Sequence, residues 1–251
     1  MDVLDFRDFY TTPLGDVVRS DIEALLKKIW PTQGESPETS SKARDVTLAY
    51  GYTIPYLTEQ NTQLAFMPAH MGVIGWPKAQ PRIALVEEDL FPLPDRCIDR
   101  IFVIHGLEVS HNPTAFLEEC WRVLSGDGKL LIITPNRRGL WARVDSSPLG
   151  RGQPYTMTQL SRLLRNVAFT PTQFARKLYT PPFNSNISIS AQTLFEKIGP
   201  VIMPKFSGLV AIEAVKTVYS GAPVASYSRR LKVALTTARA NAHAGNNRAR
   251  D

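Results

Sequence analysis

The chain of 251 residues has little or nothing of several features that mark specialised classes of protein. Its two cysteines, Cys97 and Cys120, form no metal-ligand spacing and indicate buried thiols in a reducing compartment. No apolar run reaches the roughly eighteen residues that cross a bilayer. The opening MDVLDFRDFY lacks the basic and apolar regions of a signal peptide. These absences predict a cytoplasmic protein with no membrane span and no metal cofactor.

An acidic excess is also absent, since the formal net charge is +6. Such a charge would fit nucleic-acid binding, but its distribution argues against that function. Residues 226–251 carry six Lys or Arg side chains against one acidic residue, a net +5, which leaves +1 for residues 1–225. Charged termini are usually solvated. We therefore expect residues 219–251 to form a basic, flexible tail, with contact to nucleic acid or an anionic surface as the alternative.

The stretch from Pro81 to Asn136 predicts a strand–helix–strand unit. Two apolar, β-rich runs, Ile98–Ile104 and Lys129–Thr134, flank a helix that begins after Asn112-Pro113, an N-cap followed by the proline favoured at the first helical position. The apolar residues of this helix recur at three- and four-residue steps and so share one face: Ala115, Phe116, Cys120, Val123 and Leu124.

The turn residues Gly126-Asp127-Gly128 should end this helix and lead into the next strand. A third apolar run, Arg82–Val86, precedes the unit. Strands joined by a helix are parallel, so the sheet should be mainly parallel and buried on both faces. With 43% hydrophobic residues, the chain can bury one sizeable core.

The same stretch carries a series of short motifs in a fixed order. They are Glu87-Glu88-Asp89, Phe91-Pro92-Leu93-Pro94-Asp95, Ile98-Asp99, His105-Gly106-Leu107-Glu108, Trp121-Arg122-Val123-Leu124 and Gly126-Asp127-Gly128-Lys129-Leu130. In this order and spacing, residues 81–136 resemble the small-molecule, type 11-like class I S-adenosylmethionine-dependent methyltransferases. A looser resemblance extends over residues 45–218.

The resemblance implies a Rossmann-like α/β fold: a seven-stranded, mainly parallel sheet with helices on both faces and a terminal antiparallel strand pair. It divides the chain into an N-terminal helical cap and linker (1–44), the methyltransferase-like domain (45–218) and the tail (219–251). The further elements expected are helices over Asp16–Trp30, Thr158–Asn166 and Ala191–Ile198, and strands over Asp45–Tyr50, Thr62–Met67, Phe174–Tyr179 and Gly208–Thr217. In this family the N-terminal helix commonly covers the cofactor site; simple packing on the sheet is the alternative.

The glycine-rich loop of the family is the motif from which this chain departs most. The resemblance implies cofactor contacts from Tyr50, Gly51 and Tyr52 after the first strand. Gly51 matches the first glycine, whereas Thr53 and Pro55 stand where the other two belong. Glycines serve there because the backbone turns tightly and approaches the ligand closely. The acid that would orient the methionine amino group is replaced by Ala49.

The ends of the second and third strands differ in how well they match the family's cofactor-binding residues. Met67 ends the second strand, where the family has an acid for the ribose hydroxyls. After the third strand, Glu87 matches the acid that contacts the adenine amino group, and the backbone amide of Glu88 matches the donor to the ring. The alternative is that these two carboxylates simply face solvent.

His105 and Gly106 follow the fourth strand, at the end where ligands bind in open α/β sheets. His105 is a candidate general base, or else lines the cofactor pocket with Gly106. His111 reads as a surface turn residue. The Asn/Asp-Pro-Pro-Tyr tetrapeptide of nucleic-acid amino methylases is absent.

The loop after the fifth strand is the candidate substrate loop, with Asn136, Arg137, Arg138 and Trp141. Arginines beside a tryptophan suit an anionic group or a partner. A solvated loop with Trp141 packed on the body explains the pattern equally well.

Two functions remain open at the level of sequence. The first is methyl transfer from S-adenosylmethionine to an acceptor, most simply a small molecule. The alternative is a catalytically inactive methyltransferase-like domain that binds a ligand or a protein partner, which the lost glycines and the two missing acids favour. A nicotinamide dehydrogenase is the weakest alternative, because Gly51 lacks its partner glycines.

Overall fold

A seven-stranded sheet organises the computed structural model, which describes residues 2–30, 46–57, 64–74, 83–145, 147–182 and 189–217. The predicted tail lies outside these residues. The strands are β1 (Thr47–Gly51), β2 (Leu64–Pro68), β3 (Ile83–Val86), β4 (Ile98–Ile104), β5 (Leu124–Pro135), β6 (Phe169–Lys177) and β7 (Leu209–Lys216). Their order is β3-β2-β1-β4-β5-β7-β6.

The strand directions confirm the predicted fold class. β1 to β5 pair in parallel, and β7 lies antiparallel to both β5 and β6. The carboxyl ends of the parallel strands therefore share one edge of the sheet, called the carboxyl edge below. At this edge Gly51 of β1 stands opposite Ile104 of β4, so the residues that follow these two strands meet there.

Helices cover both faces of the sheet. They are α1 (Val3–Phe9), α2 (Pro13–Ile29), α3 (Pro113–Val123), α4 (Met157–Asn166) and α5 (Ile189–Ile202). Side chains of α1 and α2 share a core with Ala49, whereas those of α3 and α4 share a second core with Leu48 and Tyr50. Successive residues of β1 thus point to opposite cores, as the pleat of a strand requires.

Local capping explains where the helices begin. Asn112 Oδ1 accepts a 3.2 Å hydrogen bond from the Ala115 amide, and Pro113 follows as the first helical residue, as predicted for α3. The same signals occur at α2, where Thr12 caps the helix and Pro13 begins it. This start lies three residues before the predicted one at Asp16, because the proline fits the first turn.

The structure corrects the predicted boundaries of several elements. α3 ends at Val123 and β5 begins at Leu124, so Gly126-Asp127-Gly128 lies inside the strand instead of forming a turn. Leu124 pairs with Ile98 of β4, which draws this segment into the sheet. β6 begins at Phe169 instead of Phe174; Pro171 is tolerated because β6 is an edge strand. α5 extends beyond the predicted Ala191–Ile198 at both ends.

One half-buried lysine connects three elements. Lys177 Nζ at the end of β6 lies 3.3 Å from Asp21 of α2 and 3.2 Å from Glu196 of α5. The Asp21 side chain is 5% exposed and that of Glu196 10%, so two largely buried carboxyl groups share one cation that is itself 30% exposed. In the described part of the chain, no helix is both long and apolar enough to cross a bilayer.

Candidate functional site

Gly51 and Gly106 allow the ends of β1 and β4 to approach each other closely. Gly51 has a φ of +91°, and a Cβ there would lie 2.3 Å from the Ile104 carbonyl oxygen and 2.8 Å from the Gly106 nitrogen. A Cβ on Gly106 would meet the Tyr50 ring at 2.7 Å. The conformation and the close packing of the two strand ends therefore account for both glycines.

His105 lies at the centre of a buried hydrogen-bonded chain at this edge. Its Nδ1 is 2.9 Å from Glu108 Oε1, and its Nε2 is 2.7 Å from the Tyr10 hydroxyl. The Tyr56 hydroxyl donates to Tyr10 at 2.7 Å, and Thr134 donates to the other oxygen of Glu108 at 3.3 Å. The side chains of His105 and Glu108 are each 1% exposed.

These partners determine the tautomer of His105. Because Tyr10 accepts from Tyr56, its own proton is directed to Nε2 of the imidazole. The ring proton then lies on Nδ1 and is donated to the Glu108 carboxylate. Burial raises the pKa of Tyr10 above its ordinary value, so its phenol stays a donor near neutral pH. The arrangement leaves a basic nitrogen at Nε2, held in orientation by a carboxylate.

Aromatic side chains of the N-terminal segment cover His105. The Phe6 ring stacks on His105 at a centroid distance of 4.7 Å and on Tyr52 at 5.3 Å. Tyr10 stacks on Tyr52 at 5.5 Å. Burial raises the pKa of Tyr52 to about 12. We call Phe6, Tyr10, Tyr52 and Tyr56 the aromatic cover; all four are buried. α1 and the turn after it contribute the first two, whereas α2 packs along the sheet face.

The sequence-predicted adenosine contacts differ in their surroundings, and one of them, Met67, belongs to the same core as the aromatic cover. Glu87 is exposed at the end of β3. The Glu88 carboxylate accepts from the amides of His111 and Asn112, at 3.2 and 2.7 Å, and so stabilises the turn before α3. Met67 is buried in the core. His111, exposed as predicted, packs against His70 at 4.4 Å.

Two residues near the end of β1, the predicted cofactor residue Tyr50 and the glycine replacement Thr53, have unpaired polar atoms. The Tyr50 ring packs between Phe91 and Phe116, and its hydroxyl has no hydrogen-bond partner. Thr53 Oγ1 is likewise buried and without a hydrogen-bond partner. Buried polar atoms normally find partners, so each of these has unused bonding capacity.

The candidate substrate loop divides into buried and exposed halves. Asn136 Nδ2 donates to the carbonyl oxygens of Lys205 and Ser207, at 3.0 and 2.8 Å. Trp141 is buried, and its Nε1 donates to the Thr180 carbonyl at 2.7 Å. Both side chains therefore fix the loop to the body, whereas Arg137 and Arg138 are exposed.

Arg137 lines a groove of about 900 Å³ beside the His105 chain. The other lining residues come from the start of α3, the loop before α4 and α4 itself: Pro113, Thr114, Ala142, Gly150, Gly152, Gln153, Pro154, Tyr155, Gln159, Arg162, Leu163 and Asn166. His105 and Trp141 do not line it. Nor do three or more potential metal ligands come together anywhere among the described residues.

Comparison with known proteins agrees with this geometry. Residues 50–132 match the family model described as methyltransferase domain. A probable S-adenosylmethionine-dependent methyltransferase of Mycobacterium tuberculosis is 37% identical over 59 residues, which are 23% of this chain. Residues 50–132 therefore resemble a class I S-adenosylmethionine-dependent methyltransferase domain. The matched stretch spans 22% of that relative's length.

Solved structures of methyltransferases share the fold of this chain. An S-adenosylmethionine-dependent methyltransferase from Archaeoglobus fulgidus aligns with a TM-score of 0.53 at 17% identity, over 79% of this chain and 94% of the other. A putative S-adenosylmethionine-dependent methyltransferase from Listeria monocytogenes aligns with a TM-score of 0.53 at 9% identity, over 81% and 100%.

The sequence predicts that Gly51 and His105 lie together, but it does not reveal the residues that contact His105. Phe6 and Tyr10 precede the segment that matches the family model, and α1 was not predicted at all. Glu108 belongs to the motif that begins at His105, but the sequence alone assigns it no functional role. Its spacing of three from His105 is the signal that could have suggested a histidine–carboxylate pair.

Proposed function

We propose that this chain transfers a methyl group from S-adenosylmethionine to a small-molecule acceptor. The proposal rests on one observation: a methyltransferase domain that holds Gly51 and an oriented, basic His105 side by side at its carboxyl edge. Open α/β sheets bind ligands at this edge. The bound cofactor would supply an electrophilic methyl group, and aligning the acceptor with it is the main catalytic task.

The described residues fit the two ends of the cofactor differently. At the adenosine end, the Glu87 carboxylate is exposed and available to an amino group, and the Glu88 amide stands beside it. At the methionine end, the backbone after Gly51 and the unpaired Thr53 hydroxyl are candidate contacts, but Phe6 and Tyr10 lie over this region. The methionine end fits once α1 withdraws.

His105 would act as the base when the acceptor carries a proton to be removed. Tyr10 donates to Nε2 as an acceptor hydroxyl would, so withdrawal of Tyr10 frees this nitrogen for the acceptor. Glu108 would then stabilise the imidazolium that forms. Glu108 acts through His105 and is therefore a positioning residue.

The second candidate is a catalytically inactive domain that binds a ligand or a protein partner. The aromatic cover favours it, because stacked rings of the protein itself fill the carboxyl edge of the sheet. Ala49 and Met67 favour it too, since both are buried apolar residues where the family has carboxylates.

Calorimetric titration of the full chain with S-adenosylmethionine and S-adenosylhomocysteine separates the two. The enzyme is expected to bind both, and Glu87→Ala should weaken binding by about tenfold or more, the effect of losing one charge-assisted hydrogen bond. Asp89→Ala is the matched control, because Asp89 is exposed two residues away and has no predicted contact. If neither the wild type nor a Phe6→Ala variant gives binding heat at millimolar ligand, the enzyme proposal is excluded. The inactive binding domain is then the supported function.

A further inference from the structure

The side of helix α5 that faces the body of the protein makes polar contacts. The Glu196 carboxylate accepts from the Tyr179 amide and pairs with Lys177 at 3.2 Å. Gly199 faces the same way, and a Cβ there would lie 2.3 Å from the Tyr179 ring. The side of α5 against the body thus carries a carboxylate and a glycine, where a surface helix usually carries its apolar stripe.

The opposite side of α5 exposes large apolar side chains. Val201 is 81% exposed and Ile202 68%. We call the exposed apolar residues of this stretch the α5 platform: Leu194, Phe195, Ile198, Val201, Ile202, Met203 and Phe206. They are seven of the twelve exposed large hydrophobic residues in the described part of the chain, gathered within thirteen positions. A concentration of this kind marks an interaction surface.

The platform lies at the carboxyl edge of the sheet. α5 connects the end of β6 with the start of β7, and both are at this edge because β6 runs parallel to β5. Asn136 fixes the loop after β5 to the carbonyl oxygens of Lys205 and Ser207, at the base of the platform. Whatever binds the platform therefore comes to the same edge as His105.

The charged residues of the α5 platform indicate what kind of surface binds there. The exposed charged residues between positions 194 and 206 are Lys197 and Lys205, because Glu196 points inward. An exposed apolar surface flanked by lysines complements the boundary between anionic headgroups and acyl chains. A symmetric pairing of two copies would instead bring four lysines together with no exposed acid within the stretch to balance them.

We infer that the α5 platform docks this protein on an anionic membrane surface, with the apolar side chains inserted shallowly and Lys197 and Lys205 at the headgroups. This inference does not depend on the proposed catalytic function, because it concerns only the surface of α5. It would bring the carboxyl edge to the lipid.

Co-sedimentation of the full chain with vesicles tests the inference. The vesicles are phosphatidylcholine alone, or phosphatidylcholine mixed with an equal part of phosphatidylglycerol. The wild type should pellet with the mixed vesicles and much less with the neutral ones. The double variant Val201→Asp/Ile202→Asp should lower the affinity at least about tenfold, since two inserted side chains are lost. Lys197→Glu/Lys205→Glu should abolish the preference for the anionic lipid.

Phe174→Asp is the matched control, because Phe174 is 51% exposed on β6, outside the platform, and should bind as the wild type does. Circular dichroism confirms that each variant is folded, which is expected for exposed positions. Wild type that stays in the supernatant with both vesicles would overturn the inference, as would equal binding by the Val201→Asp/Ile202→Asp variant. A wild-type dimer that this variant converts to a monomer would also overturn it, by making the platform a self-association surface.

Discussion

The Tyr10 hydroxyl lies 2.7 Å from Nε2 of His105, although 95 residues separate the two in the chain. This hydrogen bond connects the N-terminal segment to the end of β4. It occupies the one nitrogen of His105 that could take a proton from an acceptor. In the proposed function, withdrawal of α1 would therefore make His105 available to the acceptor.

Truncation of Phe6 should open the edge to the cofactor. Phe6→Ala removes a buried ring whose packing contributes about 3–5 kcal/mol, so withdrawal of α1 becomes easier. A ligand that binds only the open state then gains affinity in proportion to the open fraction. We expect the dissociation constant for S-adenosylmethionine to fall at least about tenfold, measured by calorimetry. Leu4→Ala, at an exposed position of α1, is the control and should change nothing. Unchanged affinity in a folded Phe6→Ala variant would contradict the role of the cover.

The tautomer of His105 can be observed directly. The hydrogen-bonded chain predicts a proton on Nδ1 and none on Nε2 at neutral pH. A long-range ¹H–¹⁵N NMR spectrum distinguishes the two nitrogens, and His105→Gln identifies the signal among the four histidines. Tyr10→Phe removes the donor to Nε2 and should shift that nitrogen's resonance while Nδ1 keeps its proton. A proton found on Nε2 in the wild type would show that the hydrogen bonds from Tyr56 to Glu108 run in the opposite direction.

Two glycine substitutions should differ clearly in their effect on stability. Gly51→Ala places a Cβ 2.3 Å from a backbone oxygen at a φ of +91°, and we expect a loss of about 2–4 kcal/mol in the free energy of unfolding. Gly126→Ala is the control, because nothing lies within 4 Å of its Cβ position. That variant should stay within about 1 kcal/mol of the wild type. Urea denaturation measures both, and equal effects would mean that the close packing of β1 and β4 is not needed.

Stability should depend on pH through Asp21. Burial, and then the nearby Glu196, raise the pKa of Asp21 to about 7, against the opposing effect of Lys177. The folded state then holds a proton that the unfolded state releases at about pH 4, so the contribution of Asp21 to stability falls as pH rises toward 7. Between pH 5 and 8 the wild type should lose about 1–3 kcal/mol relative to Asp21→Asn. Asp16→Asn, on the exposed side of α2, should show a constant difference from the wild type over the same range.

Elements with strong local signals could be predicted from the sequence. β4 occupies Ile98–Ile104 as predicted from its apolar, β-rich run. The start of α3 follows from Asn112 and Pro113, because the capping hydrogen bond reaches only three residues along the chain. β5 was predicted too short, since Gly126 and Gly128 resemble a turn and only pairing with β4 draws the segment into the sheet. α1 has seven residues, too few for a clear period.

The candidate site was less predictable than the fold for the same physical reason. Gly51 and His105 follow neighbouring strands, so sheet topology alone brings them together. Tyr10 and Phe6 reach His105 through the packing of a short helix, which no local pattern encodes. The orientation of His105 by Glu108 depends on the positive φ of 53° at the histidine, a conformation uncommon outside glycine.

The long separation between Tyr10 and His105 also has a consequence for the order of folding. Contacts of high sequence separation require loop closure, so we expect α1 to dock after β4 has paired with β1. A helix of seven residues such as α1 is the type of element that detaches by local opening while the sheet stays intact. Ligand entry and the detachment of α1 would then be a single event, and amide hydrogen exchange in α1 would report the rate of both.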